Sequence, residues 1–212
     1  MGLLFVITIG IIVYSTFLKK YLISNNIKIS KWFIIGLYIF AYYLGVVFEI
    51  TGPGNIFDIG RDMNMIVNLV PFKDIIAGSD FMMNLFQLTA NIILFIPLGI
   101  LLPSLFERFE KFHNTLLMGF ILSLIIEIFQ LLNVRATDIN DLLMNTLGTV
   151  IGFIIYSLLL KKFTSKLKLK NRNNGETLIK YNSEFFISIM FYLYFFITPC
   201  ADRILNKLIF RI

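Results

Sequence analysis

Cysteine and histidine are nearly absent from this 212-residue chain, which has one of each, Cys200 and His113. A single cysteine excludes an internal disulfide framework and a cysteine zinc cluster, and it leaves the redox compartment undetermined. Charge is scarce too: 15% of residues are Asp, Glu, Lys or Arg, and they fall in clusters between long uncharged stretches. Hydrocarbon imposes this pattern on a chain that crosses it, because charges are kept out of the spans. No positive residue precedes the apolar run from Gly2 to Leu18, and Lys19 and Lys20 follow it. The run therefore reads as a retained first span rather than a secretory signal. Val6 stands where a myristoylation signal would want Ser or Thr. The sequence shows no internal repeat, so an inverted-repeat transporter has no positive support.

What is present is apolar. The set AVILMFWYC makes up 58% of the chain, against about 45–50% in soluble domains even when glycine is counted. Six uncharged stretches approach the length needed to cross roughly 30 Å of hydrocarbon: Gly2–Leu18, Phe33–Ile50, Leu85–Phe106, Asn114–Asn133, Asp141–Leu160 and Phe185–Ala201. The expected fold class is an all-α integral membrane protein of about six transmembrane helices. The formal charge of +6 comes from basic residues placed beside the spans. Anionic membrane lipids are thus the expected partner, and nucleic acid is not. Aromatic residues are abundant, and Phe191–Phe196 is almost wholly aromatic, which a lipid-facing surface and interface anchoring would explain.

Three parts are expected: residues 1–60 as a two-helix segment, 61–160 as a core of one external loop and three helices, and 161–212 as a basic cytoplasmic loop, a sixth helix and a basic tail. The connection Thr51–Asn84 holds Gly52-Pro53-Gly54 and six charged residues, too polar to span. It suits a re-entrant or interfacial cap. The first connection (Lys19, Lys20, Lys28, Lys31), the third (Arg108, Lys111) and the fifth (Lys161, Lys162, Lys166, Lys168, Lys170, Arg172, Lys180) hold thirteen of the 19 basic residues. Lys and Arg favour cytoplasmic loops, so the N-terminus is expected outside. The tail Asp202–Ile212 alternates apolar and basic residues and suits an interface, or a last segment that stops short of crossing.

Polar residues inside spans are costly and are usually functional or paired. On the third helix Asn84, Gln87 and Asn91 recur on one face, as do Glu127 and Gln130 on the fourth and Asp138, Asp141 and Asn145 on the fifth. With the N-terminus outside, all three stripes meet at one depth near the outer face. Loop residues Arg61, Asn68 and Arg135 lie on that side. The expected site is a polar cleft with Glu127, Asp138 and Asp141 as candidate catalytic carboxylates. Arg61, Asn68, Asn84, Gln87, Asn91, Gln130, Arg135 and Asn145 are its candidate binding residues.

Structural roles account for the same residues in other ways. Thr137 or Asp138 caps the fifth helix, with Asp141 in its first turn favoured by the helix dipole. Glu127 takes a buried partner, Arg135, Arg61 or an amide, with an ion pair as its structural role, and the amides act as interhelical hydrogen bonds. Gly148-x-x-x-Gly152 lets a neighbouring helix come close, and Pro97 and Pro103 bend or end the third helix. His113 lies in a connection on the side opposite the cleft. No cofactor is expected. Without His or Cys in the cleft, any metal held by its carboxylates would be a hard cation such as Mg²⁺.

Three groups of residues resemble one family. They are Asn91-Ile-Ile-Leu-Phe-Ile-Pro-Leu-Gly99-Ile-Leu-Leu-Pro103, the pair Glu127-x-x-Gln130, and Arg135-x-x-Asp138-x-x-Asp141-x-x-x-Asn145-x-x-Gly148-x-x-x-Gly152. Together with Asn68-Leu-Val-Pro71-Phe72, they resemble the VanZ-like membrane proteins across Arg61–Tyr156, making the 61–160 core the VanZ-like part. The resemblance implies a small multi-pass protein of the bacterial cell membrane, in a family associated with tolerance to teicoplanin, a glycopeptide with a lipid tail. It carries over motif positions but no catalytic role. The expected function is to bind or modify a lipid-linked or amphiphilic molecule at the outer leaflet, such as a lipid-linked cell-wall precursor or a lipoglycopeptide. The alternatives are a carboxylate- or Mg²⁺-dependent membrane enzyme acting on lipid headgroups, or a small proton-coupled transporter.

Overall fold

The computed structural model describes residues 2–24, 30–59, 67–73, 80–132, 137–164 and 182–210. Helix α1 is Gly2–Ser24. Helix α2 is Lys31–Thr51; Ser30 caps its start through Oγ, which accepts from Trp32 N, and Gly52 ends it at φ 60° with its N–H on the Phe48 carbonyl. A left-handed residue at that point suits glycine. Helix α3, Phe81–Leu105, contains both Pro97 and Pro103, so neither proline ends it. A 3-10 turn, Glu107–Glu110, leads into α4, Phe112–Gln130. Helix α5 starts at Ile139 and runs through a π turn, Tyr156–Leu160, to Thr164. Helix α6 consists of Asn182–Tyr192, a π turn at Leu193–Ile197, and Thr198–Phe210.

Helices α2 to α5 and the Ser183–Ile204 stretch of α6 are long and apolar enough to cross a bilayer, and α1 adds the shorter apolar segment Val6–Leu18. The chain is an all-α membrane protein of about six helices. Ser183–Ile204 is also long enough that the last segment need not stop short.

The core forms around α2, where Phe33, Leu37, Phe40, Leu44 and Phe48 recur every three or four residues and are fully buried. Phe186 of α6 stacks on Phe40, with ring centres 5.7 Å apart, and meets Tyr14 of α1 edge-on at 5.0 Å. Phe191 meets Phe48 and Phe129, and Phe195 meets Phe129. The aromatic run of α6 is therefore not simply a lipid-facing surface. Tyr192 and Phe196 are exposed, but Phe195 is buried, because the helical repeat turns alternate rings inward. At the end of the bundle nearest the 3-10 turn, Arg108 pairs with Glu184 and Lys161 lies 3.8 Å from Glu110. Helix α6 is thus fastened to the bundle at that end as well as through its rings.

Helices α3 and α5 make the closest backbone approach. A Cβ on Gly148 or Gly152 would run into the carbonyl oxygen of Ile92 or Ile96, and one on Gly99 into that of Thr149. The glycine spacing gives this approach, and it fixes α5 against the half of α3 that carries Asn91.

Beyond α2, residues 52–59 fold against the last turn of α4 and the π turn in the middle of α6. Gly54 N donates to the Phe129 carbonyl at 3.0 Å, and Ile56 N to that of Phe195 at 3.3 Å. These two bonds tie this part of the long connection to α4 and α6. Further on, Val67–Asn68 forms a short strand, β1, that pairs in parallel with β2, Thr137–Asp138, with Asn68 opposite Asp138.

Candidate functional site

The β1–β2 pair, the last turn of α4 and the first turns of α5 meet at one point. Glu127 is 3% exposed, and its Oε2 accepts from the Asp138 backbone N–H at 3.1 Å. Thr137 Oγ1 donates to the Glu127 carbonyl at 2.9 Å. A buried carboxylate needs such donors, because desolvation without them is costly. Asp138 caps α5, accepting from Asn140 N at 2.8 Å, while its other oxygen accepts from Asn68 Nδ2 at 3.2 Å. One turn on, Asn91 Nδ2 of α3 donates to Asp141 Oδ1 at 2.6 Å. Three helices and the long connection are thus tied together through carboxylates that have bridged hydrogen bonds.

Asn84, Gln87, Asp138, Asn140 and Asp141, with Phe72 and Leu88, line a pocket of about 30 Å³. That is room for roughly one or two water-sized groups. Asn140 is buried, and its Oδ1 accepts from Phe72 N at 2.9 Å, which holds Phe72 at φ 57° over the pocket. No Lys or Arg is among the lining residues described. The side chains offered are two carboxylates and three amides, suited to hydroxyl, amide or ammonium groups rather than to an anion. Apolar side chains adjoin this polar spot: Leu69 and Val70 precede Phe72, and Phe81 lies one turn before Asn84, all three more than half exposed.

Most of the predicted residues come together here. Glu127, Asp138, Asp141, Asn68 and Asn91 share the hydrogen-bonded cluster, and Asn84 and Gln87 line its pocket. Two others point elsewhere. Gln130 Nε2 donates to the Thr51 carbonyl at the end of α2, and Asn145 Nδ2 donates to Ser123 Oγ, each at 2.9 Å. The remaining acceptors, Gln130 Oε1 and Asn145 Oδ1, are buried with no hydrogen-bond donor from the described residues. Arg61 and Arg135 lie outside the described residues, so the ion pair with Glu127 is not described. Among the described residues the Glu127 carboxylate is held by a neutral donor, the Asp138 backbone N–H, with the carboxyl groups of Asp141 and Asp138 as its charged neighbours. Among the described residues no group of three or more His, Cys, Asp or Glu could hold a metal ion. His113, in the first turn of α4, is at the opposite end of that helix from Glu127.

Two features were not read from the sequence. Asn140 stands off the Asp138–Asp141–Asn145 stripe, and only its place beside a helix cap hinted at a polar role. In addition, Thr115, Gly119, Ser123 and Glu127 recur every four residues down the buried face of α4. Thr149 packs on Gly119, and Asn145 bonds Ser123. A polar seam thus runs between α4 and α5 from the pocket end toward the other side. Its Ser and Thr members are short enough to pass as ordinary helix residues.

The VanZ/LLP1 family profile matches residues 5–160, taking in α1 and α2 as well as the Arg61–Tyr156 motifs. Protein VanZ of Enterococcus faecium is 32% identical over 143 residues, which cover 66% of this chain and 81% of that protein. No solved structure matches. This chain is a multi-pass membrane protein belonging to the VanZ/LLP1 family.

Proposed function

We propose that the protein binds, or acts on, a lipid-linked or amphiphilic molecule at the outer leaflet and thereby lowers sensitivity to teicoplanin-type glycopeptides. The observation that carries this reading is the joining of a small polar pocket to an apolar surface. Asp138, Asp141, Asn84 and Gln87 offer hydrogen-bond partners for a headgroup, and the exposed Phe72 of the lining and Phe81, one turn before Asn84 on the same face of α3, offer contact for a chain. An amphiphile needs both kinds of contact, and a polar pocket alone would serve a soluble ligand equally well. The lining described favours a neutral or cationic headgroup rich in donors, such as a sugar or an amine. Membership of the VanZ/LLP1 family, for which the resemblance above implies teicoplanin tolerance, supports placing this activity there.

The test is expression in a susceptible Gram-positive host. Tolerance should rise more for teicoplanin than for vancomycin, which lacks the lipid tail. Equal tolerance to both drugs would reject a role for the tail. Unchanged tolerance in Glu127→Gln and Asp141→Asn variants at normal abundance would reject the pocket as the site.

A further inference from the structure

On another face of the bundle, α1 and α6 border a groove of about 480 Å³ that shares no lining residue with the polar pocket. Its walls are apolar from end to end: Val6, Ile9, Val13 and Phe17 on α1, and residues from Phe185 to Ala201 on α6, with Tyr14 as the one hydroxyl-bearing side chain. Tyr14 is itself buried with its ring on Phe186, so it closes the floor. Ile9, Val13 and Phe17 are 45%, 64% and 58% exposed, so the groove opens to the membrane.

We infer that this groove holds one acyl chain of an anionic phospholipid from the leaflet on the side of the first connection, with the lipid phosphate on Lys20. Length supports this: Val6 to Phe17 spans about 16 Å of helix, close to the roughly 15 Å depth of one leaflet's hydrocarbon. Apart from the buried Tyr14, the lining has no polar side chain to pair with a headgroup or backbone, so a hydrocarbon chain is the occupant it suits. Charge supplies the headgroup: Lys20 continues the face set by Val13 and Phe17, one turn beyond the groove's end, and it is exposed.

The inference is independent of the polar pocket, and it is tested on the full-length protein in vesicles. Phosphatidylglycerol or phosphatidylcholine vesicles would each carry a trace of the matching lipid with a diazirine in its tail. After illumination, labelled peptides would be mapped by mass spectrometry. Label should concentrate on Ile9–Phe17 and Leu193–Ile197 relative to the exposed control segment Leu158–Phe163, and phosphatidylglycerol should label more strongly. Lys20→Gln, a change at an exposed position, should lower phosphatidylglycerol labelling about fivefold and leave phosphatidylcholine unchanged. Val13→Trp, which fills the groove from the membrane side, should remove labelling with both lipids. Equal labelling of groove and control would overturn the proposal, and so would indifference to headgroup and to Lys20→Gln. Disulfide-linked dimers of a Val13→Cys chain, with Cys200 replaced by Ser, would assign the groove to a second copy and also overturn it.

Discussion

Asp138 meets three partners at once: its backbone N–H holds Glu127, one carboxylate oxygen caps α5 through Asn140 N, and the other accepts from Asn68. The cap and the site are therefore one residue, and the two readings of Asp138 do not compete. Asp138→Asn keeps an acceptor for Asn140 N but turns an amide NH2 toward Asn68 Nδ2 and should lose about 1 kcal/mol, whereas Asp138→Ala, which loses the cap as well, should lose about 2 kcal/mol. Thermal unfolding in detergent would measure both. Glu127→Gln retains an oxygen for the Asp138 N–H and removes only the charge, so membrane abundance should hold while antibiotic tolerance falls. Glu127, Asp138 and Asp141 were legible in the sequence because helical spacing puts them on facing stripes. The partner of the Gln130 amide was not legible, because it is the Thr51 carbonyl, 79 residues away in sequence. No local pattern encodes such a contact.

The six helices were legible from their length and apolarity, and the glycine pair from its spacing. The β1–β2 pairing was not, because strands of two residues have no periodicity to read. The inward rings of α6 were missed because Phe191–Phe196 is apolar on every face, and only the neighbouring helices decide which rings are covered. Glycine substitutions separate backbone contact from side-chain contact. Gly148→Ala drives a Cβ into the Ile92 backbone, where nothing can rotate away, and should cost about 1–3 kcal/mol. Gly10→Ala meets only the tip of Leu193, which can change rotamer, and should cost less than about 1 kcal/mol. If the two variants melt alike, the close α3–α5 approach is not what holds this pair together.

The molecule has two chemically distinct ends. One gathers the polar pocket, residues 52–59 and Arg203 stacked on Phe57, and the other holds the Arg108–Glu184 and Lys161–Glu110 pairs. From the distribution of basic residues we propose that the pocket end faces outside. With Cys200 replaced, a cysteine at the exposed Lys73 should then react with an impermeant thiol reagent in intact cells, and one at the exposed Lys111 should be protected. The reverse result would turn the pocket to the cytoplasm. The parallel strand pair also bears on how the protein is made. Asn68 and Asp138 are 70 residues apart, so at about 5–20 residues per second the ribosome delivers the second strand roughly 4–14 s after the first. During synthesis β1 waits without its partner, and the pocket closes only after the start of α5 has emerged. Nascent chains stalled with Thr137 still inside the ribosome should therefore be cut by protease near Val67–Asn68, and chains released past α5 should resist.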